Sequence, residues 1–135
     1  MPIKNETISK GFILAGVMNI VGVLVSSRCF TNTVIPAVDS VVMSNFGLLM
    51  IIIWGLAYIA VSYSYDKVKW LVAVFVIEKF IYGLIWSKWI LNNSLADVFE
   101  KDKSAGRFFA TYGINDWIFF LFFLFVFIRL LAAKK

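Results

Sequence analysis

Four apolar stretches separated by short polar segments dominate the chain. They cover residues 8–27, 41–64, 70–91 and 114–133, and each is close to the roughly 20 residues that a helix needs to cross a bilayer core. Within lipid, only helices and closed barrels satisfy all backbone hydrogen bonds. The strands of a barrel would show alternating polar and apolar residues over segments of about ten residues. The predicted fold class is therefore all-α: an integral membrane four-helix transmembrane bundle in a single domain, residues 1–135.

The first stretch has the basic start and apolar middle of a secretory signal peptide. Lys4 and Lys10 precede or open the apolar residues. Asn19 lies near the centre of the stretch, where a cleaved signal has no use for a polar side chain. We therefore expect this stretch to be retained as the first span.

The composition narrows the class further. Hydrophobic residues make up 61% of the chain and charged residues 16%, against about 25% charged in soluble domains. A soluble or nucleic-acid-binding domain needs a more polar surface, so no nucleic acid partner is expected. Histidine is absent and Cys29 is the single cysteine. These counts exclude His-ligated metals, redox cysteine pairs and intrachain disulfides, and we expect neither a metal site nor a cofactor.

Charge asymmetry between the two predicted faces gives the orientation. With four spans, both termini lie on one face, which carries seven basic and two acidic residues. The opposite face carries five of each. Because cytoplasmic loops are enriched in lysine and arginine, both termini are predicted to be cytoplasmic, in a plasma or inner membrane.

The two connections on the opposite face are long. The connection after the first span contains Pro36 and predicts no clear element. In the connection before the fourth span, Ser94 can cap a short helix with Asp97 at the third following position. Its apolar residues fall on one side, which predicts an amphipathic helix on the membrane surface that ends near Gly106. An irregular polar loop is the alternative.

Small and polar residues recur at helical spacing along the first span. Such a stripe is typical of a surface where helices approach closely, so a side chain added at Gly22 is expected to disrupt packing. Asn19 lies mid-stripe and either contacts a ligand or bonds to another helix. The stripe consists of Gly11, Ala15, Asn19, Gly22 and Ser26.

The third span carries two adjacent charges near its middle. Glu78 and Lys79 lie eight and nine residues after Trp70, which is roughly 12–14 Å into the membrane. A charge at that depth costs about 2.5–3.5 kcal/mol, so each requires a partner or water. Neighbouring helical positions point in different directions, and the two charges are not expected to pair with each other. Tyr82 is within reach of either.

Matching depths along the first three spans predicts one polar layer near mid-membrane. Asn19, Trp54, Glu78 and Tyr82 fall at similar distances from the inner ends of their spans, and Lys79 adjoins them. Ionisable residues inside a membrane commonly mark functional sites. These five residues form the candidate site for a ligand, a proton or an ion. The alternative is that they only tie helices or subunits together.

Asp116 lies at the predicted start of the fourth span. There its carboxylate can cap the helix and interact with the positive end of the helix dipole. Alternatively it pairs with Arg28 or Lys88 at the outer mouth of a cavity. The span continues almost entirely in Phe, Leu, Ile and Val. This apolar surface must touch lipid or another protein, and it leaves room for a lipid-like ligand.

No catalytic nucleophile, metal set or cofactor motif accompanies the polar layer, and no catalytic residue is assigned. The sequence favours a non-enzymatic protein that binds a small apolar molecule or lipid, or an accessory subunit of a larger membrane complex. The alternative is a proton- or ion-coupled transporter or channel unit that acts as a homo-oligomer. A lipid or quinone enzyme using Glu78 and Tyr82 as acid–base residues is less favoured.

Overall fold

A computed structural model of the protein describes residues 4–133, and all regular elements in this range are helical. Lys134 and Lys135, which contribute to the charge asymmetry, lie outside the described residues. The elements in chain order are α1 Asn5–Ser26, α2 Val34–Val38, α3 Asn45–Val61, a 3-10 turn Tyr65–Lys67, α4 Lys69–Asn92, α5 Leu95–Lys101 and α6 Lys103–Ala132.

Three of the helices are long and apolar enough to cross a membrane. They are α1, α4 and α6, with 22, 24 and 30 residues. The apolar helix α3 has 17 residues and is shorter than the predicted second span of 41–64. It starts late because the Ser44 hydroxyl accepts a hydrogen bond from the Gly47 N–H (3.1 Å) and caps the helix. The preceding residues form a turn on the Asp39 carboxylate.

Helix α6 begins well before the predicted start of the fourth span. The Asp102 carboxylate accepts a hydrogen bond from the Ala105 N–H (2.8 Å) and caps a helix that runs on without a break. Gly106, predicted to end the preceding helix, lies inside α6, where an added β-carbon would overlap the Phe99 ring of α5. Asp116 is therefore an interior residue of α6, and the prediction that it caps a helix is wrong.

The connections hold one predicted and one unpredicted helix. Helix α5 lies where the sequence predicts it, with the Ser94 hydroxyl accepting from the Asp97 N–H (3.3 Å). Helix α2 was not expected because of Pro36. Proline is tolerated in a first turn, since the N–H that it lacks has no helical partner there.

The four longer helices pack antiparallel to their neighbours in space. Side-chain contacts run in opposite order along each pair, as with Trp86–Phe109 and Trp70–Phe127 between α4 and α6. The start of α1 and the end of α6 lie at one end, here called the terminal end. The opposite end, which carries residues 27–44 and 93–102, is called the loop end.

Two apolar clusters fill the core, one toward each end. The cluster toward the terminal end is largely aromatic, and its members pack edge to face or tilted at 4.9–6.4 Å between ring centroids. The cluster at the loop end joins α4 and α6 to α2 and α5. The aromatic core of the first cluster consists of Phe12, Tyr58, Phe75 and Phe123.

Close approach of α1 and α3 depends on Gly16 and Gly55. A β-carbon added at Gly16 would overlap the Gly55 carbonyl oxygen and the Ile59 side chain. The predicted role of Gly22 in close packing is wrong. Apart from its own helix backbone, no atom in residues 4–133 comes within 4 Å of the position that a Gly22 β-carbon would take.

Candidate functional site

A buried ion pair lies between the two apolar clusters. The Lys79 ammonium donates to the Asp116 carboxylate at 2.8 Å and to the Asn19 side-chain oxygen at 3.1 Å. Lys79 is 1% exposed and Asp116 is 6% exposed. The Asn19 amide in turn donates to the Ile51 carbonyl at 3.0 Å. The network therefore connects α1, α3, α4 and α6 through charged and polar side chains.

Glu78 points to a different partner. Its carboxylate accepts a hydrogen bond from the Tyr58 hydroxyl of α3, and Glu78 is 7% exposed. Lys79 also lies 5.3 Å from the centroid of the Tyr58 ring, within cation–π range. As the helical geometry predicts, Glu78 and Lys79 satisfy separate neighbours instead of pairing with each other.

A cavity of about 310 Å³ adjoins this network. Its walls come mainly from α1, α4 and α6, and Glu78, Lys79 and Asp116 form its charged floor. The volume is at the small end of the range typical of ligand sites, about 300–1,000 Å³. Further lining residues are Met18, Asn19, Gly22, Val23, Ser26, Ile51, Tyr82, Phe108, Thr111, Tyr112, Ile114, Asn115 and Ile118.

The cavity opens sideways between α1 and α6. Its exposed apolar lining residues are Met18 on α1 and Ile114 and Ile118 on α6. Toward the loop end, the Ser104 hydroxyl donates to the Ser26 carbonyl at 2.9 Å and joins the two helices. Toward the terminal end they meet again through packed phenylalanine side chains. We call this gap between the two contacts the side opening.

Most of the predicted layer is assembled around the cavity. Asn19, Glu78, Lys79 and Tyr82 all line it. Trp54 is placed elsewhere: it packs edge to face on Phe75, 6.1 Å between centroids, against the terminal-end cluster. The predicted residues of α1 and α4 therefore line one cavity, whereas Trp54 of α3 does not.

The predicted outer group of Asp116, Arg28 and Lys88 is not formed. Arg28 pairs with Asp102 at 3.2 Å at the loop end, and Lys88 is exposed. Asp116 lies about 20 Å along α6 from the helix start and pairs with Lys79. The expectation failed because it placed the start of the fourth span at residue 114.

Two site residues were missed or misassigned from the sequence. Tyr58 was not assigned to the candidate site from the sequence, but it is fully buried and bonds to Glu78. The role of Asp116 was missed because the helix start was misplaced. The signal was present: Phe108 and Phe109 extend the apolar run on the other side of Asp116, which puts this carboxylate inside a longer helix.

A second polar group closes the loop end. The Asp102 carboxylate accepts from the Ala105 N–H, from the Asn32 side-chain amide at 2.8 Å and from Arg28. These hydrogen bonds, that of Ala105 foremost, hold the pKa of Asp102 below its ordinary value. The backbone after α1 reaches this site through three residues with positive φ, Arg28, Cys29 and Phe30.

No family model matches the chain, and no curated protein or solved structure shows significant similarity to it. Within residues 4–133, no cluster of three or more His, Cys, Asp or Glu side chains could hold a metal ion. What the site can do must therefore be argued from its own geometry: a charged floor, aromatic and apolar walls, and an opening with an apolar rim.

Proposed function

We propose that this chain is a four-helix integral membrane protein that binds a small amphipathic molecule in the cavity between α1, α4 and α6. One observation carries the proposal. A cavity with a charged floor is lined at its opening by exposed apolar residues, which would face lipid in the proposed four-span arrangement. A molecule dissolved in the bilayer can reach such a site without passing through water.

In this proposal α3 is the fourth span. Its 17 residues give a length of about 25 Å, and flanking residues can make up the difference from a hydrocarbon core of about 30 Å. It packs along α1 and carries Tyr58 to the charged layer, which a surface helix would not do. With four spans, the charge asymmetry supports cytoplasmic termini in a plasma or inner membrane.

The packing favours binding over transport through the protein. On the terminal side of the charged floor, Phe12, Tyr58, Phe75 and Phe123 are all fully buried and pack against one another. An ion path would require this cluster to separate.

Filling the cavity tests the proposal. In Gly22→Phe, the new ring enters open space, so the fold should survive while ligand binding is lost. Val21→Phe is the matched control, because Val21 is half exposed, points about 100° away from Gly22 on the same turn and does not line the cavity. Both variants and the wild type are purified in a mild detergent, and small molecules that co-purify are identified by native mass spectrometry.

A molecule bound to wild type and Val21→Phe but absent from Gly22→Phe is the expected result. The proposal is rejected if Gly22→Phe, folded by its thermal unfolding curve, retains the same bound molecule. It is equally rejected if wild type carries nothing and none of the three probes described below binds.

A further inference from the structure

The floor of the cavity has more acidic than basic groups. Two carboxyl groups, on Glu78 and Asp116, face one ammonium group, on Lys79. The remaining polar lining side chains are hydroxyls and amides, which carry no charge at neutral pH. A site buried in lipid gains most from a ligand that balances its charge, because an uncompensated charge there is costly.

Carboxylate oxygens at the floor remain free to accept hydrogen bonds. Lys79 already donates to Asp116 and Asn19, and Tyr58 donates to one oxygen of Glu78. Within the described residues, the second carboxylate oxygen of Glu78 and that of Asp116 accept no hydrogen bond. A ligand at the floor therefore meets two free acceptors and at most one free N–H of Lys79, and the Tyr112 hydroxyl of the cavity wall is the other buried group there that has no partner in the described chain.

The walls next to the floor are aromatic. Tyr82 of α4 and Phe108 and Tyr112 of α6 line the cavity. Aromatic ring faces attract cations, and the attraction is stronger where water is excluded. An anionic group in the same position would be repelled by two carboxyl groups, and among the buried groups that the structure describes there, only the Lys79 ammonium and the unpaired Tyr112 hydroxyl could donate to it.

We infer that the ligand carries a cationic amine. This inference rests on the proposed function and specifies its ligand class. The ammonium group binds the free oxygens of Glu78 and Asp116, and the apolar body extends past the aromatic wall to the side opening at Met18 and Ile118. A cavity of about 310 Å³ holds a small amine or the head of a larger one, and excludes a whole two-chain lipid.

Three probes that share a phenylethyl group test the charge preference: 2-phenylethylamine, 2-phenylethanol and 3-phenylpropionate. Their affinities are measured by isothermal titration calorimetry on the protein in nanodiscs of phosphatidylcholine, which carries no net charge. Because a charge-assisted hydrogen bond is roughly twice as strong as a neutral one, the amine should bind about tenfold more tightly than the alcohol. The carboxylate should bind most weakly, and Gly22→Phe should abolish binding of all three.

The Glu78→Gln variant tests whether the preference for the amine comes from the cavity floor. The amide retains the shape of the side chain, so the alcohol should bind as before while the amine loses most of its advantage. Glu100→Gln, the same change at an exposed position on α5, is the matched control and should leave all three affinities unchanged. The comparison of probes on wild type needs no variant, so it stands even if Glu78→Gln fails to fold.

The two proposals fail in different ways. If the alcohol or the carboxylate binds as tightly as the amine, and Gly22→Phe removes that binding, the cavity is a binding site and the cationic ligand class is wrong. If an amine preference survives in a folded Glu78→Gln protein, the assignment to Glu78 is wrong. If no probe binds in a manner that depends on Gly22 but a co-purified molecule does, this inference alone fails. If neither a probe nor a co-purified molecule binds in that manner, this inference and its basis both fail.

Discussion

Separating Lys79 from Asp116 should destabilise the protein strongly, and removing both charges should restore most of the loss. The two groups are 2.8 Å apart and almost fully buried. Lys79→Met leaves the Asp116 carboxylate without its positive partner, and Asp116→Leu leaves the Lys79 ammonium without its negative partner. Losing one member of a buried pair costs about 3–5 kcal/mol, whereas replacing both members with apolar residues is often close to neutral.

The measurement is a double-mutant cycle on the free energy of unfolding. Each variant is unfolded in mixed micelles by added dodecyl sulfate and followed by the fluorescence of the five tryptophans. We expect the double variant to be far more stable than the sum of the single changes predicts, with a coupling energy of at least about 3 kcal/mol.

An exposed ion pair of the same chemistry provides the control. Glu6 and Lys10 are 3.1 Å apart on the first turns of α1, and both side chains are largely in solvent. The cycle made with Glu6→Gln and Lys10→Met should give a coupling of only about 0.3–0.5 kcal/mol. If the Lys79–Asp116 cycle is additive, or its coupling is no larger than that of this control, the buried pair does not hold α4 and α6 together.

Three further predictions use glycines, the loop end and the termini. Gly16→Ala should lower the unfolding free energy by about 1–3 kcal/mol through overpacking, while Gly22→Ala should stay within about 0.5 kcal/mol of wild type; equal values would contradict the assigned packing. The Asp102 pKa is lower in the folded protein, so its stabilisation should be complete above the ordinary carboxylate pKa of about 4 and vanish as pH falls through the folded value. Thermal unfolding of Asp102→Asn against wild type checks this, and a stability difference that is constant with pH would refute it. A membrane-impermeant maleimide should label Cys29 in intact cells, whereas Cys29→Ser carrying Asn5→Cys should react only after permeabilisation; the reverse pattern would invert the topology.

Local features of the sequence were enough for several elements. The length of the apolar runs predicts α1, α4 and α6, because lipid requires the backbone to bond within each segment. Ser94 and Asp97 predict α5, since capping depends only on residues three positions apart. The rotation of about 100° per residue predicts that Glu78 and Lys79 find separate partners.

Contacts between helices were decided only by the tertiary structure. The predicted stripe on α1 does not include Gly16, the glycine that meets α3, because close approach depends on where Gly55 lies along the neighbouring helix. Asp116 became the partner of Lys79 because the cap at Asp102 starts α6 early and sets the depth of every residue after it. The cavity exists because α1 and α6 touch at both ends and separate between them. The pattern of residues in either helix alone does not predict this separation.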